Sequence, residues 1–63
     1  MKKPEFEIEV KRCTTSSGYH CYNIYLYKDG KLLVCYMKES IVDAGDLVMK
    51  LEAFTKYYTE DND

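Results

Sequence analysis

The dipeptide Asp29-Gly30 constrains the fold of this chain more than any other feature, because it separates two strand-like runs. A tight two-residue hairpin turn needs positive φ at both central residues, and Asp-Gly accepts that conformation readily. The sequence therefore predicts an antiparallel hairpin with a fixed register. Continued without interruption, this register pairs Lys28 with Lys31, Tyr27 with Leu32, Leu26 with Leu33, Tyr25 with Val34, Ile24 with Cys35, Asn23 with Tyr36 and Tyr22 with Met37.

Both faces of this hairpin are rich in apolar groups, because side chains alternate across a strand. One predicted face carries Tyr22, Ile24, Leu26, Leu33, Cys35 and Met37. The other predicted face carries Asn23, Tyr25, Tyr27, Leu32, Val34 and Tyr36. The chain has only one later segment long enough to cover a face, so we expect the second face to remain open as an aromatic surface.

Two further segments complete the predicted architecture. Residues 5–11 alternate between apolar and charged side chains, which indicates a half-buried strand with Phe6, Ile8 and Val10 pointing inward. Residues 14–18 have loop composition, and the other strands are expected at about 19–28 and 31–38. Apolar residues then recur at helical spacing: Ile41, Ala44, Leu47, Val48, Leu51, Phe54 and Tyr58.

The predicted helix covers about residues 43–58 and precedes an acidic tail at 59–63. Ser40 with Asp43 resembles a capping box, and Asp43 with Asp46 is a competing start. Gly45 costs about 1 kcal/mol relative to alanine inside a helix, which favours a start near Asp43 or Ala44.

These elements predict one small α+β domain over residues 1–63, a three-stranded antiparallel sheet packed by one C-terminal helix (βββα). The more aliphatic face is expected to pack against the helix, with Phe6, Ile8, Val10, Ile24, Leu26 and Leu33. The opposite face is the predicted partner-binding surface, formed by Tyr25, Tyr27, Tyr36, Leu32, Val34, Glu5, Glu7 and Glu9.

Composition excludes several function classes. No apolar run approaches the ~20 residues of a membrane helix. The three cysteines, an odd number with no signal peptide in view, favour free thiols in a reducing cytoplasm. The net charge of −2 combines a mildly basic strand region with an acidic C-terminal region, which is too little charge to establish a nucleic-acid partner.

Catalytic and metal-binding patterns are not evident. His20 is the single histidine, and its position in a tyrosine-rich strand favours a structural or surface role over that of a general base. Cys13, His20 and Cys21 do not match a standard zinc-ligand spacing, and a fourth ligand is lacking. We therefore expect a non-enzymatic protein without metal or cofactor.

The stretches FEIEVKR and GYHCYNIYLYKDGKLLVCYMKESIVDAGDLVMKLEAF resemble the three-strand-plus-helix core of small phage-encoded inhibitors of host enzymes. These include anti-CRISPR proteins and a small uracil-glycosylase inhibitor. The resemblance implies a non-catalytic viral protein that binds a host protein in the host cytoplasm. The sheet and helix also resemble part of a double-stranded-RNA-binding domain. That family opens its last helix with basic residues, whereas residues 40–44 here are acidic, so RNA binding through the helix is not expected.

Three function hypotheses follow. The leading one is a protein-binding inhibitor or adaptor that occludes a host nucleic-acid-processing or defence enzyme. The second is a nucleic-acid-binding module whose sheet tyrosines stack on bases, with phosphate contacts from Lys11, Arg12, Lys28, Lys31 and Lys38; the glutamate row argues against it. The third is a homodimer, formed through the aromatic face or by edge-to-edge pairing of the first or third strand.

Overall fold

The computed structural model describes residues 4–58, in which a three-stranded antiparallel sheet is followed by one helix. The strands are β1 (Phe6–Thr14), β2 (His20–Lys28) and β3 (Lys31–Lys38), and the helix is α1 (Ile41–Tyr57). The strand order is β1-β2-β3, so β2 is central and the other two strands form the edges. This arrangement confirms the predicted βββα fold, while the expected acidic tail lies outside the described residues.

The β2–β3 turn has the predicted conformation. Asp29 and Gly30 have φ values of 52° and 82°, and Lys28 pairs with Lys31 across the turn. The start of β1 is joined to this turn, because the Glu5 amide donates to Asp29 Oδ1 at 3.0 Å and the Asp29 amide donates to the Glu5 carbonyl at 2.7 Å. These two hydrogen bonds hold the N-terminal end of β1 beside the β2–β3 hairpin, where β1 pairs with β2.

A β-bulge in β3 makes the predicted register wrong beyond Leu32. Tyr27 still pairs with Leu32, but Leu26 pairs with Val34, so Leu33 has no partner in β2. An extra residue on one strand sends every following side chain to the opposite face. Residues 34–38 are therefore displaced by one position from the uninterrupted register, and their face assignments are reversed.

β1 pairs with β2 without a bulge and is longer than expected, since it continues beyond residue 11 to Thr14. The turn after β1 is closed by the Thr15 amide, which donates to the Tyr19 carbonyl at 2.7 Å, and by Gly18, which has φ of 90°. The alternation predicted for β1 holds at Phe6 and Ile8, which pack toward the helix, but Val10, which was also expected to be buried there, is 48% exposed.

The helix begins at Ile41, earlier than the expected start near Asp43 or Ala44. Ser40 is its N-cap, and the Ser40 hydroxyl accepts hydrogen bonds from the amides of Val42 and Asp43. A serine cap contributes about 1 kcal/mol, comparable to the cost of a glycine inside a helix, so Gly45 does not delay the start.

The core is small and lies between α1 and one sheet face, which we call the covered face. Ile24 is fully buried and Leu26 is 3% exposed, and both pack with Ala44 and Leu51 of the helix. Leu33 was expected in this core, but it is 54% exposed because the bulge removes it from the ladder. The partly buried residues around the core are Phe6, Ile8, Tyr22, Val34, Leu47 and Val48.

Candidate protein-interaction face

The sheet face opposite α1 has no covering element among residues 4–58, and we call it the open face. Its membership follows from the strand pairings together with the alternation of side chains. Its residues are Glu7, Glu9, Lys11 and Cys13 of β1, Cys21, Asn23, Tyr25 and Tyr27 of β2, and Leu32, Cys35 and Met37 of β3.

Tyr25 and Tyr27 form the centre of the open face. They are next-but-one neighbours on β2, so their side chains leave the sheet on the same side. Their rings stack with centroids 6.4 Å apart and an interplanar angle of 29°. Both side chains are half-buried, which leaves part of each ring surface exposed to solvent. A rigid tyrosine pair offers apolar area with little conformational entropy to lose on binding.

Charged groups of β1 hold these two rings in place. The Tyr27 hydroxyl donates a hydrogen bond of 3.4 Å to Glu9 Oε1, and the Lys11 ammonium lies 5.8 Å from the centroid of the Tyr25 ring. Desolvation of the Tyr27 side chain, followed by the neighbouring Glu9 carboxylate, raises the pKa of Tyr27 above its ordinary value of 10.0. Tyr27 is therefore a neutral hydrogen-bond donor at physiological pH.

The glutamates of the predicted surface form an acidic row along β1. Glu7 lies opposite Tyr27 and Glu9 lies opposite Tyr25 in the β1–β2 register. Glu5 precedes the strand at the same end of the sheet, where its backbone bonds to Asp29. All three glutamates are exposed. The row makes the open face acidic at the end of the sheet near the Asp29-Gly30 turn.

Two residues predicted for this surface lie on the covered face instead. Tyr36 pairs with Ile24, and Val34 pairs with Leu26 and packs against the core. The bulge at Leu33 causes both changes. Of the predicted residues, the structure therefore brings together Tyr25, Tyr27, Leu32, Glu7 and Glu9, with Glu5 at the margin, and places Tyr36 and Val34 elsewhere.

Cys35 and Met37 take their places on the open face, and sequence reasoning missed them. Cys35 pairs with Tyr25 and is exposed, while Met37 pairs with Asn23 and is 61% exposed. The run Leu32-Leu33-Val34 is apolar throughout, so its pattern carried no signal of which register would form.

The basic residues proposed as phosphate contacts are separated from the tyrosines. Arg12 and Lys38 both pair with Tyr22 on the covered-face side, and Lys28 pairs with Phe6 on that side. Lys31 pairs with Lys28 and follows the same side. Lys11 is thus the one proposed phosphate contact that shares the open face with the stacked rings.

Cys13 and Cys21 lie on the open face at the end away from the Asp29-Gly30 turn, and the described residues around them do not form a metal-binding or catalytic site. Cys13 lies opposite Cys21, both are free thiols, and the Asn23 amide donates to Cys13 Sγ at 3.0 Å. His20 is exposed and its Nδ1 lies 3.4 Å from the Thr14 hydroxyl. Within residues 4–58, no three His, Cys, Asp or Glu side chains converge in a way that could hold a metal ion.

The covered-face side also carries an apolar groove of about 400 Å³ between the first half of α1 and β1. Ile41 and Met49 of the helix are each 67% exposed there, and Val10 of β1 is 48% exposed. The helix crosses the sheet without covering this corner. The groove is lined by Val10, Tyr22, Ile41, Ala44, Gly45, Val48 and Met49.

Comparison of the chain with protein-family models, with the sequences of characterised proteins and with solved structures finds no match. In the part of the chain that the structure describes, α1 is neither long nor apolar enough to cross a membrane.

Proposed function

We propose that this protein is a non-catalytic binding protein, an inhibitor or adaptor, whose open face docks on a basic surface of another protein. The observation that supports this most is the stacked Tyr25–Tyr27 pair beside the acidic row of β1. Tyrosine is enriched in the cores of protein interfaces, where its ring supplies buried area and its hydroxyl a hydrogen bond.

The charge of the open face indicates the chemistry of the partner. Glu7 and Glu9 flank the rings, and Lys11 is the single cation in the same strand row. An acidic row beside an aromatic centre complements lysines and arginines on the partner, and such complementarity raises the association rate and selects the partner. Surfaces that bind nucleic acid have this basic character. Occlusion of such a surface would inhibit the partner without any chemistry by this chain.

Direct binding of nucleic acid is the less favoured function. It requires cations beside the stacking rings, because phosphates flank every base. Arg12, Lys28 and Lys38 lie on the opposite side of the sheet from Tyr25 and Tyr27. The resemblance to phage-encoded inhibitors of host enzymes extends the proposal to a host nucleic-acid-processing or defence enzyme.

The test compares binding by matched variants. The purified, tagged chain is incubated with nuclease-treated bacterial lysate, and bound proteins are quantified by mass spectrometry. The double variant Tyr25→Thr/Tyr27→Thr removes both rings while retaining residues that favour strands. Tyr36→Thr is the control, since it is the same substitution on a neighbouring strand but on the covered face.

We expect at least one protein to bind the wild type and Tyr36→Thr but not the double variant. Added duplex DNA should displace that protein, and the purified chain should inhibit its activity in reconstituted form. Retention of the same proteins by the double variant would exclude the open face as the interface. A shift of labelled DNA or RNA by the chain alone, lost in the double variant, would instead support the nucleic-acid alternative.

A further inference from the structure

The two edge strands differ in how well they are protected from pairing with another strand. β3 is interrupted by the bulge at Leu33, and bulges are a common device for blunting a sheet edge. β1 runs for nine residues from Phe6 to Thr14 with no bulge and no internal proline. An edge of this length and regularity can accept another strand.

The backbone groups that β1 offers at this edge can be identified. The Thr15 amide donates to the Tyr19 carbonyl and the Asp29 amide to the Glu5 carbonyl, so odd-numbered residues at both ends of β1 bond toward β2. Hydrogen-bonding direction alternates along an antiparallel strand. The N–H and C=O groups that point away from β2 therefore belong to Phe6, Ile8, Val10, Arg12 and Thr14.

The charges along β1 are complementary to those of a second, antiparallel β1. The first half of the strand is acidic, with Glu7 and Glu9, and the second half is basic, with Lys11 and Arg12. Antiparallel pairing of two identical strands brings the acidic half of each opposite the basic half of the other. The sequence of β1 thus favours a second copy of this chain over an uncharged strand.

One register satisfies these charges without a like-charge pair. A two-fold axis at Val10 places Glu9 opposite the partner's Lys11 twice and overlaps the whole of β1. An axis at Glu9 or at Lys11 would bring two identical charges together, and an axis at Ile8 would oppose Glu7 and Glu9. Like charges directly opposite each other destabilise a sheet.

The apolar groove supports the same register. Val10 lines the groove and would lie on the two-fold axis, so the grooves of both copies would open toward the same line. Ile41 and Met49, which are exposed in the single chain, line the same groove as Val10 and would therefore lie near the two-fold axis. Contact with the second copy would remove this apolar surface from water, which favours association.

We propose that this protein forms a two-fold homodimer through antiparallel β1–β1 pairing centred on Val10, with Glu9 of each copy opposite the partner's Lys11. The dimer is a continuous six-stranded sheet with both helices on one face, because the axis is perpendicular to the sheet. The open faces of the two copies then form one surface. Dimerisation through β1 does not depend on what binds that surface.

Charge reversal tests the pairing and its register. Sedimentation equilibrium of the wild type is compared with Glu9→Lys, Lys11→Glu and the double swap Glu9→Lys/Lys11→Glu. We expect each single variant to dimerise about tenfold more weakly, since two attractive pairs become repulsive. The double swap should recover the affinity, and an equimolar mixture of the two single variants should form heterodimers detectable by native mass spectrometry. Glu7→Lys is the matched control, because Glu7 lies opposite the partner's Cys13 in this register.

Amide hydrogen exchange tests the same pairing in the unsubstituted chain. The amides of Ile8, Val10 and Arg12 should become protected as protein concentration rises, since they gain partners only in the dimer. A monomer at every concentration, with fast exchange at these amides, would overturn the proposal. So would a dimer that Glu7→Lys weakens as much as Glu9→Lys does, or one that only Tyr25→Thr/Tyr27→Thr disrupts.

Discussion

The two faces of this sheet use the same strands for different purposes. On the covered face, aliphatic side chains such as Ile24 and Leu26 are buried against α1 and carry the stability of the fold. On the open face, half-buried tyrosines are held by single polar contacts from Glu9 and Lys11. The difference shows that a very small domain can place nearly all of its core on one side of its sheet and leave the other side without a covering element among residues 4–58.

The largest effect is expected from truncating the covered face. Leu26→Ala should lower the free energy of unfolding by about 2–5 kcal/mol, because it leaves a cavity in a core of few residues. Such a loss approaches the whole stability of a small domain. Leu32→Ala on the open face, where the side chain is 52% exposed, is the matched control and should cost less than about 1 kcal/mol. Denaturant titration measures both, and similar midpoints for the two variants would contradict the face assignment.

Thiol reactivity should separate the cysteines by exposure. Cys35 is exposed, Cys13 is partly buried and Cys21 is 5% exposed, although the pairings assign all three to the open face. We expect an aromatic disulfide reagent to modify Cys35 first, Cys13 more slowly and Cys21 only when the sheet opens. Single-cysteine variants followed by mass spectrometry give the three rates. A slow Cys35 would mean that β3 follows the uninterrupted register, with Cys35 beneath the helix.

Deletion of Leu33 should have a small effect. It removes the residue that has no partner in β2 and leaves the pairs on both sides of the bulge in place. We expect the free energy of unfolding to change by no more than about 1 kcal/mol, as for a surface change away from the core. In an uninterrupted register the same deletion would exchange the two faces of the remaining strand, and thermal melting would then show a large loss.

The smallest effect concerns the Tyr27–Glu9 contact. Because the pKa of Tyr27 is raised in the folded chain, the folded state keeps this proton where the unfolded state loses it. The stabilising contribution is therefore fully present below pH 10 and is lost as pH rises through the folded-state pKa. Ultraviolet titration of phenolate should show one late-ionising tyrosine that disappears in Tyr27→Phe and shifts to lower pH in Glu9→Gln. An unchanged profile in Tyr27→Phe would contradict the assignment.

Sequence reasoning predicted the features that depend on strong local rules. The Asp29-Gly30 turn, the alternation of β1 and the existence of the helix each follow from backbone sterics or from periodicity. These features were enough to identify the fold and the central rings of the open face, Tyr25 and Tyr27.

The features that sequence reasoning missed depend on competition between comparable energies. Leu32, Leu33 and Val34 are all apolar, so the hydrophobic pattern of this run does not favour one register of β3 over the other. At the helix start, the Ser40 cap offsets the cost of Gly45, and both are effects of about 1 kcal/mol. The predicted face assignments of Val34 and Tyr36 were wrong because of the register of β3 alone.

The position of α1 in the chain has a consequence for biosynthesis. Each strand pairs with its immediate neighbour in sequence, so the sheet can assemble from local hairpins as it leaves the ribosome. The helix is synthesised after all three strands, and until it emerges Ile24 and Leu26 face solvent. The nascent sheet is then apolar on both sides and has two open edges, which is the stage at which aggregation or chaperone binding is most favoured. Docking of α1 ends that exposure and distinguishes the two faces for the first time.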